Sequence, residues 1–271
     1  MRSAFPVAAF LLAAAPLSAA EPRSGLPPVL RNVGIEQRLG SSLPLDLSFR
    51  DETGRLVRLG DFFREKPVVL VFAYYNCPML CTQVLNGLLQ AARVVSLDIG
   101  RDFEVVVISF DPREGPKDAA AKKAAYVPRY GRPGAEAGWH FLTGGKEAIA
   151  RATEAVGFRY AWDDGTDQFA HGSAIFVAAP DGRLSRYLFG IEYAPRDLRL
   201  ALVEASAGRI GIPVLDHVLL FCYRYDPATG KYGAVVMNMV RLGGVAAVLI
   251  LSTFLTIMWR RDHRRDVARA R

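Results

Sequence analysis

Two cysteines that directly follow an apolar run are the residues of this chain with the clearest capacity for chemistry. Cys77 and Cys81 form a C-x-x-x-C pair, one residue wider than the C-x-x-C spacing of common redox motifs. The apolar run 68–74 predicts a buried strand, and Pro78 predicts the start of a helix. A helix N-terminus stabilises thiolates through its exposed N–H groups, and one helical turn lets both sulfurs point the same way. The pair can close a disulfide or hold a soft metal ion.

A histidine further along the chain completes a candidate metal site. His171 follows the acidic segment 163–167, predicted as a loop, and precedes a predicted strand over 173–178. In a thioredoxin-like order of elements, the loop before this strand packs beside the start of the cysteine-bearing helix. This order would place His171 next to Cys77 and Cys81. Two thiolates and one imidazole form a soft, three-coordinate site that suits Cu(I) and can accept Cu(II).

The elements that must position these residues alternate between strand and helix. A hairpin is predicted over 45–59, strands over 68–74, 103–110, 139–142, 173–178 and 184–189, and helices over 78–98, 117–130, 146–156 and 195–207. Strands that alternate with helices, followed by a terminal hairpin and helix, predict an α/β fold built as a three-layer sandwich. The candidate domain runs over 44–207, after a lead-in over 21–43.

The first twenty residues predict a secretion signal. Arg2 provides a positive start, 5–17 is a short apolar run, and 18–20 offers small residues for cleavage. The net charge of +7 comes mostly from Arg2 and from the C-terminal arginines, so the predicted exported part is close to neutral. This distribution gives no support for nucleic-acid binding.

A second apolar stretch near the C-terminus predicts a transmembrane helix. Residues 242–259 carry no charge and approach the roughly 20 residues that a bilayer requires. The arginine-rich tail 260–271 is expected on the cytoplasmic side, which places the domain on the outer, periplasmic side of the inner membrane. The segment 208–241 is interpreted as amphipathic and juxtamembrane. It holds His217 and the odd third cysteine, Cys222, for which metal binding is the alternative interpretation, although residues five apart do not share a helix face well.

Several other polar residues have both a functional and a structural interpretation. Asp111, after a predicted strand, could orient a ligand or the cysteine loop, or could form a turn before Pro112. The acids of 163–167 could face the metal site or a partner, or be a solvated loop. His140, beside a tryptophan, is interpreted as structural.

Three segments in the expected order resemble the Sco (SenC-type) family. They are Tyr75-Asn76-Cys77-Pro78-Met79-Leu80-Cys81, Ile108-Ser109-Phe110-Asp111-Pro112-Arg113 and Ala170-His171-Gly172-Ser173-Ala174-Ile175-Phe176-Val177. The resemblance covers roughly residues 40–207. It implies a thioredoxin-like fold, copper held by Cys77, Cys81 and His171, and a role in assembling the CuA centre of cytochrome c oxidase. The chain differs from the family pattern at Gly172, where Ser usually follows the His, and in its C-terminal rather than N-terminal anchor.

Two main hypotheses for function remain open at this stage. The first is a membrane-tethered copper chaperone, a binding protein rather than an enzyme, that delivers copper to the accepting subunit of a respiratory oxidase. The alternative is an exported thiol–disulfide oxidoreductase that uses Cys77 and Cys81 to reduce cysteines of a copper-site partner and does not need His171. A copper-responsive redox sensor is a third interpretation.

Overall fold

The computed structural model describes residues 28–77, 79–210, 225–226, 231–232 and 242–258. In chain order, the strands are β1 (Gly34–Ile35), β2 (Ser48–Arg50), β3 (Leu56–Arg58), β4 (Val68–Ala73), β5 (Glu104–Ser109), β6 (Trp139–Leu142), β7 (Phe158–Asp163), β8 (Gln168–His171), β9 (Ala174–Ala178), β10 (Leu184–Phe189), β11 (Tyr225–Asp226) and β12 (Lys231–Tyr232). The α-helices of the domain are α1 (Leu80–Val94), α2 (Pro116–Tyr130), α3 (Lys146–Ala155) and α4 (Pro195–Ser206). Short 3₁₀ helices cover Pro28–Asn32, Leu59–Phe62 and Ala135–Ala137.

A five-stranded sheet forms the centre of the domain, in the order β10-β9-β4-β5-β6. Strands β4, β5 and β6 are parallel, whereas β9 is antiparallel to β4 and β10 is antiparallel to β9. Every residue of β4 and β9 is buried, as expected for strands covered on both faces. The predicted mixed α/β fold is confirmed.

The helix that follows β4 is amphipathic and packs on this sheet. Helix α1 contacts α2, α4 and β9. Its apolar positions recur three and four residues apart, which places them on one face. The buried members predicted from the sequence are Val84, Leu85, Leu88, Leu89 and Ala92. This packing fixes the start of α1, and with it Cys81, at the end of β4 where that strand leaves the sheet.

A second, three-stranded sheet of order β1-β7-β8 was not predicted. The acidic segment before His171 is a loop, as predicted, but the strands on both sides of it were not predicted: β7 and β8 form an antiparallel hairpin that pairs Tyr160 with His171. The acidic segment is its turn: the carboxylate of Asp163 accepts hydrogen bonds from the Gly165 N–H and the Thr166 hydroxyl, both at 3.0 Å. Aromatic residues at alternate positions of β7 were the available signal for this strand.

The predictions of an N-terminal hairpin, a transmembrane helix and two terminal segments have different outcomes. The N-terminal hairpin is confirmed as β2 paired with β3. Residues 242–258 are helical, but no helix in the described ranges is long and apolar enough to cross a membrane, so the structure does not support the transmembrane helix predicted over 242–259. The predicted signal peptide 1–20, His217, Cys222 and the basic tail 260–271 lie outside the described residues.

A buried carboxylate holds the connection between β4 and α1. Glu114, only 8% exposed, accepts hydrogen bonds from the N–H groups of Tyr75 and Asn76 at 2.6 and 2.7 Å. The Asn76 side-chain amide at 3.0 Å and the Ser109 hydroxyl at 2.6 Å donate to the same carboxylate. A carboxylate only accepts hydrogen bonds, and here its two oxygens accept hydrogen bonds from four donors. The segment that leads to Cys77 is therefore held by a residue just before α2.

Replacing Glu114 with Gln is expected to destabilise the protein by about 1–3 kcal/mol, since one amide N–H₂ would then face buried donors and leave at least one of them unsatisfied. The measurement is the free energy of unfolding in urea. Glu65→Gln is the matched control, because Glu65 is exposed and its substitution should change that free energy by less than about 0.5 kcal/mol. Equal stabilities of Glu114→Gln and the unsubstituted protein would contradict the role assigned to this carboxylate.

Candidate metal centre

Cys77, Cys81 and His171 come together as the sequence predicted. One ligand atom from each, the two Sγ atoms and a ring nitrogen, all lie within 4.8 Å of one another. The Cys81 Sγ is 3.3 Å from the His171 Nε2. The two cysteines are free thiols, 7% and 2% exposed, and His171 is half-buried. The three donor atoms thus form a compact and largely desolvated cluster.

The Cys77 sulfur lies at the start of α1, as predicted for a stabilised thiolate. The N–H of Cys81, in the first turn of the helix, donates to Cys77 Sγ at 3.3 Å. The Cys81 thiol donates to the Cys77 sulfur and, together with the nearby side chains of His171 and Tyr74, lowers the pKa of Cys77 to about 3, although burial opposes the shift. Cys77 is therefore the thiolate of the pair.

Cys81 has the opposite electrostatic character. Burial, followed by its contact with the charged Cys77 sulfur, raises the pKa of the Cys81 thiol well above its ordinary value. Its sulfur accepts the N–H of Tyr74 at 3.4 Å and faces the histidine ring. The pair thus holds one proton, on Cys81, and a metal bound by both sulfurs would displace it.

The orientation of His171 leaves its Nε2 free for a ligand role. Its Nδ1 lies 2.7 Å from the Gly172 carbonyl oxygen, which can only accept a hydrogen bond. Nδ1 therefore carries the proton, and the Nε2 lone pair points at Cys81. Gly172 is also the position where the chain differs from the family pattern. A Cβ at Gly172 would lie 3.0 Å from the Cγ1 of Ile35 in β1, so this strand leaves little space for a side chain at residue 172.

Aromatic rings enclose the histidine. Its ring centroid lies 5.2 Å from that of Phe110, 6.0 Å from that of Phe158 and 6.2 Å from that of Tyr74. Phe169, two residues before His171 on β8, packs edge-on against Tyr74 and Phe110. These rings hold the imidazole in place and lower the local polarity, which strengthens electrostatic interactions at the three donor atoms.

Asp111 does not orient the cysteine loop directly. Both of its carboxylate oxygens bind the Arg113 guanidinium, at 2.7 to 3.0 Å. The same guanidinium stacks on Trp162, 4.4 Å from the ring centroid, and so ties the loop after β5 to the β7–β8 hairpin. Orienting the cysteine loop, the functional role considered for Asp111, belongs instead to Glu114, which the sequence analysis missed. No local signal marks Glu114, because the backbone N–H groups that it binds lie 38 and 39 residues away.

The remaining candidates lie apart from the cluster. His140 contacts Glu104 at 3.2 Å and packs against Phe62, which agrees with its structural interpretation. Asp163 belongs to the hairpin turn. The sequence analysis also missed Tyr74, whose N–H donates to the Cys81 Sγ and whose ring packs edge-on against that of His171.

Known proteins share this fold. A crystal structure of a protein from Aquifex aeolicus superimposes with a TM-score of 0.56 at 24% identity, covering 64% of this chain and 96% of that one. The crystal structure of Arabidopsis thaliana ScoI with copper bound gives a TM-score of 0.50 at 19% identity, covering 63% and 99%. At these identities the likeness concerns the fold alone.

Sequence relatives identify the family. The chain is 31% identical over 147 residues to the mitochondrial protein SCO2 homolog of Bos taurus, a match that spans 52% of this chain and 52% of that protein. The chain therefore aligns with about half the length of this relative. The SCO1/SenC family model matches residues 37–203, which include both cysteines and the histidine. This match covers more than half of the chain, and the chain belongs to the SCO1/SenC family.

Proposed function

We propose that this protein binds one copper ion through Cys77, Cys81 and His171 and delivers it to the copper-accepting subunit of a respiratory oxidase. The observation that carries the proposal is the convergence of the two cysteine sulfurs and a ring nitrogen of His171 within 4.8 Å. Copper here is cargo rather than a resident cofactor. The family match adds support, because the matched residues include all three proposed ligands.

The chemistry of the donor set favours copper over harder cations. Thiolates and imidazole are soft or borderline ligands, whereas Mg²⁺, Ca²⁺ and Mn²⁺ prefer oxygen. The two nearby buried carboxylates are already occupied, since Glu114 accepts four hydrogen bonds and Asp111 pairs with Arg113. A structural zinc site would require a fourth ligand. The three donors that converge therefore fit a three-coordinate copper ion better than the other common metals.

The asymmetry of the cysteine pair favours a second candidate function. A low-pKa thiolate at a helix start beside a buried thiol is also the arrangement of a thiol–disulfide oxidoreductase. That activity would use Cys77 as the attacking thiolate and Cys81 as the resolving thiol. The oxidoreductase function does not require a metal ligand at His171, so the effect of replacing this histidine distinguishes the two functions.

We further propose that the domain works on the outer face of the inner membrane, with the chain attached through its C-terminal segment. The support comes from the sequence: a signal-like N-terminus over 1–20, an uncharged stretch over 242–259 and an arginine-rich tail after it. Copper delivery to a respiratory oxidase from that side is consistent with this topology. The identity of the recipient as a CuA-type subunit rests on the family resemblance.

Reduced protein should bind one copper ion per chain. Cys77→Ser and Cys81→Ser should each abolish tight binding, since each removes a thiolate ligand. Copper content is measured after gel filtration in the presence of a competing Cu(I) chelator. Met79→Ser is the matched control, because it lies between the cysteines but is 62% exposed and provides no ligand in the proposal. Full copper content in the double variant Cys77→Ser/Cys81→Ser would disprove the site.

His171→Ala should weaken copper binding by at least about 100-fold, because a three-ligand site loses its only nitrogen. The same change should leave the Cys77–Cys81 disulfide able to form and be reduced. In cells, oxidase activity should fall as far with His171→Ala as with Cys77→Ser, whereas the control His140→Ala should retain it. If His171→Ala supports normal oxidase activity while Cys77→Ser does not, the oxidoreductase function is the correct one.

The proposed topology predicts different protease sensitivity for the two ends of the chain. In spheroplasts, protease added outside should digest the domain and spare a tag fused after Arg271, because positively charged tails remain on the cytoplasmic side. Immunoblots against the domain and the tag give the answer. A protected domain in intact spheroplasts would contradict the proposed location.

A further inference from the structure

The peptide group that follows His171 sets the direction of the proposed histidine ligand. The Gly172 carbonyl oxygen lies 2.7 Å from His171 Nδ1, and on the other side of the ring Nε2 lies 3.3 Å from the Cys81 Sγ. Cys81 itself is buried in α1, where the packing of that helix on the sheet fixes its position. A displacement of the Gly172 peptide group would therefore turn the imidazole relative to a sulfur that does not move with it.

Strand β1 packs directly on this peptide group. A Cβ at Gly172 would lie 3.0 Å from the Ile35 Cγ1 and 3.1 Å from its Cδ1, which is closer than a side chain normally approaches. Gly172 does not have a positive φ angle, so glycine provides space here rather than an unusual backbone conformation. Ile35 thus packs on the peptide group that orients the histidine, with no side chain between them.

The Ile35 side chain has little freedom to withdraw from this contact. Strand β1 pairs with β7, with Ile35 opposite Phe158, and the next N–H, that of Glu36, donates to the Gly157 carbonyl at 2.9 Å. A β-branched side chain is stiff about χ1, and one of the two close atoms is Cγ1, which is bonded directly to Cβ. An added carbon at residue 172 would therefore displace the Gly172 peptide group as well as Ile35.

The two sides of this contact come from different parts of the chain. The SCO1/SenC family model matches residues 37–203, so Gly172 lies inside the match and Ile35 lies before it. The space that β1 fills is the space that a side chain at residue 172 would need. The glycine after the histidine and the strand before the matched region therefore depend on each other.

We infer that Ile35 and Gly172 are positioning residues, and that through their contact strand β1 holds the His171 imidazole toward the two sulfurs and so increases the affinity of the centre for copper. This inference rests on the proposed function, because it concerns the copper-loaded state. It goes beyond the three-ligand site by giving a segment outside the family match a defined effect on the metal centre.

The test is a double-mutant cycle in the full-length protein, with Gly172→Ala, Ile35→Ala and the two combined. The first change adds a carbon against Ile35, and the second removes the carbons that it would meet. Gly145→Ala is the matched control, since a Cβ there meets nothing within 4 Å. The readouts are the Cu(I) affinity, from competition with a chelator, and the nitrogen hyperfine coupling in the EPR spectrum of the Cu(II) form, which reports coordination by the imidazole. Urea unfolding establishes that each variant is folded.

Gly172→Ala should lower the copper affinity about tenfold, the usual effect of disturbing a group that orients a metal ligand, and should weaken the nitrogen coupling. Ile35→Ala alone should lower the affinity about threefold, because the Gly172 peptide group is then held less firmly. The combined variant should recover the nitrogen coupling and bind within about threefold of the unsubstituted protein, since the added carbon then has space. Gly145→Ala should change neither readout.

Unchanged affinity and spectrum in Gly172→Ala, or a combined variant that binds no better than Gly172→Ala, would show that this contact does not position the histidine, while the proposed function stands. If Gly172→Ala does not fold, Ile35→Ala, which adds no atoms, decides in its place, and the same affinity and spectrum as the unsubstituted protein would refute the inference. If the unsubstituted protein does not take up copper, the proposed function itself fails.

Discussion

The N–H groups of Tyr75 and Asn76, in the connection between β4 and α1, are satisfied by the buried carboxylate of Glu114. A parallel strand that ends inside the domain leaves N–H groups that cannot remain unpaired in a desolvated site. Glu114 accepts two of these N–H groups, and the Ser109 hydroxyl at the end of β5 anchors the same carboxylate. This interaction fixes the path of the chain just before Cys77, on which the geometry of the metal centre depends.

With this path fixed, the helix start determines the character of the two sulfurs. Cys77 lies where the N–H of Cys81 can reach it, and Cys81 lies one turn into the helix, where packing on the sheet buries it. The same C-x-x-x-C spacing therefore produces a thiolate and a buried thiol, rather than two equivalent groups. Such a pair suits both metal capture and thiol exchange, so the sulfurs alone do not decide the function.

The third ligand comes from a separate layer of structure. The small sheet formed by β1, β7 and β8 carries His171 to the sulfurs, and the stacking of Arg113 on Trp162 ties its hairpin to the loop after β5. The Gly172 carbonyl then selects the tautomer whose Nε2 lone pair faces Cys81. A histidine that was only structural would not need its lone pair directed at a thiol. This arrangement is what favours a metal centre over a simple dithiol pair.

The sequence by itself determined the parts of this protein that depend on neighbouring residues. Apolar runs and turn residues predicted the strands and helices of the central sheet, and the residue types and order of Cys77, Cys81 and His171 predicted the three-donor cluster. Only the tertiary structure decided how that cluster is held. The acidic segment before His171 is an exposed turn, as the acids suggested, but it joins two strands of a hairpin that was not predicted, because alternating aromatic residues on β7 pack against the core. Glu114 carries no local signal, since a hydrogen bond to a buried group depends on which distant segments the fold brings together.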